Sequence, residues 1–218
     1  MRIVLFGAGG NIGRRIAQEG VARGHAVVGV VRDAARGAGP DGLAAVAAAD
    51  VTDAAQVAAV AAGADAVVSA VGNQRTPTGP APVPLFAQAA RALGAGARAA
   101  GVTRLVVVGG AGGLLTPSGV PLVDTPTFPP AYRGDALGQR DALAVYRADA
   151  GRDLAWTYVS PAAVIGPGDR TGQYRTGTDH LLVDADGESR ISYEDFAVAI
   201  WDELERPRHV RARMTVAY

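Results

Sequence analysis

The stretch Met1-Arg-Ile-Val-Leu-Phe-Gly-Ala-Gly-Gly-Asn-Ile-Gly13 decides the reading of this chain. Ile3 to Phe6 are apolar without polar alternation, the pattern of a strand covered on both faces. Glycines at 7, 9, 10 and 13 follow at once, and Asn11 to Arg23 reads as a helix. Glycine permits a tight turn and close approach of the backbone to a bulky anion, and the free N–H groups of a helix N-terminus attract negative charge. A second apolar run, Ala26-Val-Val-Gly-Val-Val31, completes the order strand, glycines, helix, strand. That order predicts a pyrophosphate cradle for a dinucleotide, built from Gly7, Ala8, Gly9, Gly10, Asn11, Ile12 and Gly13.

The same alternation continues outward from this unit. Ala66-Val-Val-Ser69, Arg104-Leu-Val-Val-Val108 and Ala155-Trp-Thr-Tyr-Val159 read as strands, with helices from about Leu85 to Ala100 and from about Tyr132 to Ala150 between them. A short third strand is expected to end near Asp50. Alternating strands and helices imply right-handed crossovers and an α/β, Rossmann-like, doubly wound parallel sheet. Residues 162–192, with Gly, Asp and Thr spacing short strand-like pieces and a turn at Asp184-Ala-Asp-Gly187, read as a small substrate-side lobe of one NAD(P)-binding domain covering 1–218. Ser192-Tyr-Glu-Asp195 reads as a capping box that opens a helix with Phe196, Ile200 and Leu204 on one face.

Composition narrows the function. The 218 residues carry 21 basic and 21 acidic side chains, so no net field draws the chain to a phosphate backbone or an anionic membrane, and neither partner is expected. There is no cysteine, and His25, His180 and His209 are too scattered for a metal site. The apolar run at the N-terminus is too short for a signal peptide or a membrane helix, so a cytoplasmic location is expected. Every basic residue is arginine; the chain contains no lysine.

Further cofactor contacts are placed by their position after strands. Arg32 follows the second strand, where an NAD-specific site would hold an acid, and a guanidinium there suits the 2′-phosphate of NADP; Asp33 beside it keeps NAD open. Asp50 and Val51, after the third strand, stand where an adenine would lie, although Asp50 can equally cap a turn. Ala70, Val71 and Gly72 follow the fourth strand, Gly109 the fifth, and Ser160 and Pro161 the sixth, as walls for the nicotinamide half. The segments 75–84 and 109–130, rich in proline and glycine, lie where an open α/β sheet places its ligand crevice.

With these segments read, the chain resembles the bacterial NAD(P)H-binding proteins called NADH-flavin reductases, which are atypical short-chain dehydrogenases, and it is similar to the NmrA-like and biliverdin-reductase-B proteins. The likeness rests on the Gly7–Gly13 loop, Val106-Val-Val-Gly-Gly-Ala-Gly112, Leu122-Val-Asp-Thr-Pro126, Ser160-Pro-Ala162, Arg170-Thr-Gly172 and Arg190-Ile-Ser-Tyr-Glu-Asp195. It implies a Rossmann fold, a nicotinamide cofactor on Gly7, Gly10 and Gly13, and reduction of a flavin or similar planar acceptor. The NmrA-like side implies an alternative, a non-catalytic NADP(H)-sensing protein. Gly9 and Gly113 depart from the pattern, since relatives commonly have threonine and serine there.

The chemistry expected at the site follows from the missing lysine. Ordinary short-chain dehydrogenases pair a tyrosine with a lysine four residues on, which assists proton transfer. Here the tyrosine is Tyr132 and the position four residues later is Ala136, so Tyr132 reads as a pocket wall or helix-entry residue. His180 is the other candidate proton donor. Gly110, Ala111, Tyr132, Arg170 and Tyr174 are the acceptor-side candidates, with Arg175 beside them, and the glycines from 109 to 113 are expected to leave room for a flat ring.

Overall fold

Strand β1 (Arg2–Phe6) lies at the centre of the molecule because both of its faces are apolar. Val4 and Phe6 point into one core, Ile3 and Leu5 into the other. The computed structural model describes residues 1–32, 40–72, 84–148 and 152–218.

Along the described chain, β1 is followed by α1 (Asn11–Ala22), β2 (Ala26–Val31), β3 (Ala45–Ala48), α2 (Ala54–Ala61), β4 (Ala66–Ser69), α3 (Pro84–Ala99) and β5 (Arg104–Val108). A 3-10 turn at Leu122–Asp124 precedes α4 (Pro130–Arg147), β6 (Ala155–Pro161), β7 (Val164–Gly166), β8 (Arg175–Gly177), β9 (Arg190–Ser192), α5 (Tyr193–Glu205) and β10 (Ala212–Ala217). Helix α4 begins two residues before Tyr132 because Pro130 sits in its first turn, where the missing N–H costs nothing. Ala150, the expected helix end, lies outside the described residues, as do Asp33 and positions 75–83.

Eight strands form one sheet in the order β3-β2-β1-β4-β5-β6-β10-β8, all parallel except the β10–β8 pair. The fold is therefore the Rossmann-like α/β arrangement that the strand–helix alternation implied. Helices α1 and α5 cover one face, and α2, α3 and α4 cover the other. Trp201 of α5 is fully buried against α1 and donates its indole N–H to Ile16 O at 2.7 Å, so α1 is fixed along its length.

Two departures from the sequence reading concern the C-terminal third. Within residues 162–192, β8 is the eighth strand of the main sheet, while β7 and β9 form a parallel two-stranded pair of their own. The strand that recruits β8 is β10, which the sequence reading passed over although Met214 and Val216 alternate with Arg213 and Thr215. The capping box is also only half formed. Ser192 Oγ accepts from Asp195 N at 2.9 Å, but the buried Asp195 carboxylate turns away to the N–H of Gly172 and the hydroxyls of Thr171 and Tyr218. The expected turn at 184–187 is present, with Asp184 Oδ1 accepting from the N–H groups of Asp186 and Glu188.

Candidate functional site

The chain runs outward in one direction from β1 through β2 to β3 and in the other from β4 through β5 to β6, so the carboxyl ends of β1 and β4 flank the point where strand order reverses. A crevice opens there in this class of fold. The loop after β1 and the loop after β4 meet at that point: a Cβ on Gly7 would stand 2.7 Å from Ala70 O, and Gly7 has φ +79°. Gly7 N donates to Val30 O at 3.1 Å and Gly7 O accepts from Gly10 N at 3.0 Å, which closes the turn.

The four glycines of the loop divide by what surrounds them. Gly7 and Gly13 are required by the protein itself, since a Cβ on Gly13 would lie 2.1 Å from Gly7 O. Gly10 would bring its Cβ only to ordinary contact distance of Gly7 O, 3.4 Å, and a Cβ on Gly9 would meet nothing within 4 Å. Gly9, Gly10 and Asn11 are exposed, and Gly10 caps α1 with no side-chain hydrogen bond. Ala8 is fully buried, and Ile12 packs partly against the α1/α5 core. Among the described residues, the result is a helix N-terminus with no side-chain cap above a backbone turn with open space at Gly9. That arrangement fits the two phosphates of a dinucleotide, with Gly9 and Gly10 as their floor.

The adenine side is formed by Arg32, Asp50 and Val51. Arg32 is exposed at the end of β2. Asp50 accepts from Thr52 N at 2.8 Å and Thr52 Oγ1 at 2.7 Å; these bonds, helped by the positive charge of Arg32, hold its carboxyl below the ordinary range. Asp50 thus caps a turn while standing in the field of Arg32. The Val51 side chain is in the core, so only its main chain is available to a ligand.

On the nicotinamide side, Ala70 and Val71 are half-buried and Gly72 exposed at the end of β4. Ser160 and Pro161 are buried at the end of β6, with Ser160 Oγ lacking a partner among the described residues, so they form structure behind the crevice wall. The room expected beside Gly109 to Gly113 is taken up by the protein. A Cβ on Gly109 would stand 2.0 Å from Tyr158 Cε1, one on Gly112 2.5 Å from Ala136 Cβ, and one on Gly113 2.9 Å from Arg213 Nη2. These glycines let β6, α4 and β10 pack close. Gly110 and Ala111 remain half-buried, and Gln139 closes over Gly110 at 3.3 Å from its missing Cβ.

Tyr132 is half-exposed in the first turn of α4. Ala136 is pressed against Gly112, so the space a lysine would need at that position is filled. His180 is exposed in a segment clipped to the loop after β5, where Leu115 N donates to Asp179 O and Leu181 N to Leu115 O.

Arg170 and Tyr174 require correction as acceptor residues. Arg170 makes a bidentate pair with Glu19, both contacts 2.7 Å, and Glu19 lies two turns along α1 from the glycine loop. Tyr174 OH donates to Asp202 of α5. Both side chains fasten their segment to the α1–α5 layer rather than face the crevice. Arg175 is likewise spent on main-chain oxygens, Val183 O at 2.8 Å and Tyr218 O. Among the described residues no group of three or more His, Asp or Glu side chains could hold a metal ion, and no helix is long and apolar enough to cross a membrane.

Sequence reasoning missed Gln139 at this crevice and Tyr158 buried behind it. Tyr158 is fully buried in β6 and its hydroxyl lies 2.5 Å from Gln139 Oε1 and 2.8 Å from Gln139 O. Burial pushes its phenol well above the ordinary value, partly offset by Arg213, so it stays protonated and serves as a donor. A polar residue seven positions after Tyr132, on the same helix, was the available signal.

A Rossmann sheet with a bare glycine cradle at its switch point defines the class: a protein that binds a nicotinamide dinucleotide. Residues 7–207 match the NAD(P)H-binding family, and the chain belongs to it. It is 40% identical over 220 residues to the uncharacterised Bacillus subtilis protein YwnB, covering 99% of this chain and 98% of that one. A solved structure from Burkholderia pseudomallei, provisionally described as an exported protein, is similar at 45% identity with a TM-score of 0.89, covering both chains fully. Another, from Streptococcus pneumoniae and provisionally described as an NADH-flavin reductase, is similar at 30% identity and a TM-score of 0.82, covering 100% of this chain and 99% of that one. The family and the Streptococcus pneumoniae neighbour support an oxidoreductase role with a nicotinamide cofactor.

Proposed function

We propose that the protein is an NADPH-dependent reductase that passes hydride to a flavin, a quinone or a similar planar conjugated acceptor. The observation that carries this reading is the pairing of an open glycine cradle with a crevice in which the tyrosine–lysine dyad cannot form, because Ala136 is wedged against Gly112 and the chain has no lysine. When bound, the cofactor supplies the hydride. The chain's own residues hold its phosphates at Gly9 and Gly10, meet a 2′-phosphate with Arg32, and bring the acceptor to the end of β5 beside Gly110 and Ala111. A conjugated acceptor needs little more than positioning, since it spreads the incoming charge and collects its proton from water. NADP is favoured over NAD because Arg32 presents a cation where a ribose 2′-hydroxyl would want an acid. A cytoplasmic location suits a reductase drawing on a pool of reduced cofactor.

The test is NADPH oxidation with FMN, riboflavin and a quinone, set against simple aldehydes and ketones. Turnover of the conjugated acceptors alone is expected. Rapid turnover of an unconjugated ketone, lost in Tyr132→Phe, would restore a tyrosine-based dehydrogenase; binding of NADPH with no turnover of any acceptor would favour the sensing alternative.

A further inference from the structure

Gln139 stands at the carboxyl ends of β4 and β5, lining a small cleft with Ser69, Val71 and Val108 and closing over Gly110. Its two ends are not equivalent. The Tyr158 hydroxyl donates toward Gln139 Oε1 at 2.5 Å and toward the main-chain oxygen of Gln139 at 2.8 Å, its one hydrogen shared between them. The amide oxygen therefore faces the phenol. Tyr158 itself cannot swing away, because its ring fills the place of the absent side chain at Gly109. Among the described residues the Gln139 amide nitrogen donates to no partner, and the side chain is half-buried at the crevice. Two N–H donors are thus directed by a buried tyrosine toward the place where an acceptor would sit, with no partner among the described residues.

We propose that the Gln139 side-chain amide is the hydrogen-bond donor for a carbonyl oxygen of the acceptor, aimed by the Tyr158 hydroxyl. The inference rests on the reductase reading and specifies its substrate class: a conjugated acceptor that carries a carbonyl oxygen in or beside the ring, as quinones and flavins do. The acceptor gains a hydride from the bound reduced nicotinamide, which is left oxidised, and negative charge collects on the carbonyl oxygen. That oxygen then takes one proton from water. An amide N–H stabilises the charge without giving up its own proton, so Gln139 is a catalytic residue by touching the oxygen, and Tyr158 is a positioning residue acting through it.

The experiment uses the full chain with 2-methyl-1,4-naphthoquinone as the probe. Gln139→Leu is expected to lower kcat about 100-fold, the usual effect of losing one donor at a developing oxyanion, with NADPH affinity unchanged. Gln139→Glu, the same shape with an acceptor in place of the donor, is expected to be slow at neutral pH and to recover as pH falls and the carboxyl becomes protonated, a profile that a merely structural role would not produce. Tyr158→Phe should lower kcat less, and add nothing in the Gln139→Leu background. A second readout needs no turnover: in the NADP⁺ complex, the side-chain amide NMR resonances of Gln139, assigned by their loss in Gln139→Leu, should shift when the quinone is added. Wild-type kcat in Gln139→Leu would overturn the proposal and leave the reductase reading standing. A wild type that binds NADPH but reduces nothing would overturn the reductase reading, and unshifted Gln139 resonances would then overturn a quinone contact as well.

Discussion

The Tyr158 ring occupies the space that a side chain on Gly109 would need: a Cβ there would stand 2.0 Å from Cε1 of the ring. Tyr158 is fully buried and held by Gln139, so it has little freedom to move aside. Gly109→Ala should therefore destabilise the protein by about 2–3 kcal/mol, the usual cost of overpacking a core. Denaturant midpoints of the two proteins check this, and an unchanged midpoint would show that β5 and β6 can separate at that end.

The glycine loop predicts two different phenotypes. Gly13→Ala places a methyl group 2.1 Å from Gly7 O, a backbone atom that cannot yield, and should destabilise the fold by about 2–3 kcal/mol. Gly10→Val meets only a contact of 3.4 Å at a φ of −75° that any residue adopts, so the fold should persist. Its side chain would fill the place of the phosphates, and NADPH binding should disappear. Thermal melts and fluorescence titrations separate the two effects; undiminished NADPH affinity in Gly10→Val would remove the cradle from this loop.

Cofactor choice is predicted from Arg32. Losing one charge-assisted contact to a 2′-phosphate at an exposed site should cost NADPH about tenfold in affinity and leave NADH nearly unchanged. The measured quantity is the ratio of the two dissociation constants in wild type and Arg32→Ala. An unchanged ratio would sink the assignment.

Glu203 gives a prediction about pH. Burial alone would push its carboxyl up, but His209 and the N–H groups of His209 and Arg208 outweigh burial and hold it below its ordinary value. It also accepts from Arg104 at 3.1 Å and Thr157 at 3.0 Å at the amino end of the sheet. A carboxyl depressed in the folded state adds stability that is complete above its unfolded pKa, about 4.3, and is lost as pH falls through the lower folded value. Glu203→Gln should remove that part of the acid dependence, and at neutral pH it should cost about 3–5 kcal/mol because Arg104 is left buried without its counter-charge. Urea denaturation between neutral and acid pH is the measurement.

The first 31 residues determined the fold class by themselves, because an apolar run, a glycine turn and a helix constrain one another locally and require no distant partner. The elements from β4 to β6 were legible for the same reason: each is an unbroken apolar run too hydrophobic to lie anywhere but inside. What the sequence left undecided were structures whose meaning comes from a neighbour. Strand β10 is half polar, and becomes a strand by pairing with β6 and recruiting β8. Arg170 and Tyr174 look like crevice residues until the chain brings Glu19 and Asp202 to them from helices far away in sequence. The glycines at 109, 112 and 113 looked like space for a ligand, and only the packed structure shows that Tyr158, Ala136 and Arg213 have filled it. Gln139 is the converse, an unremarked polar residue in a helix until Tyr158 fixes which way its amide points. Local sequence dictates which backbone conformations are cheap; which side chains meet is set by tertiary packing, which is where the site is decided.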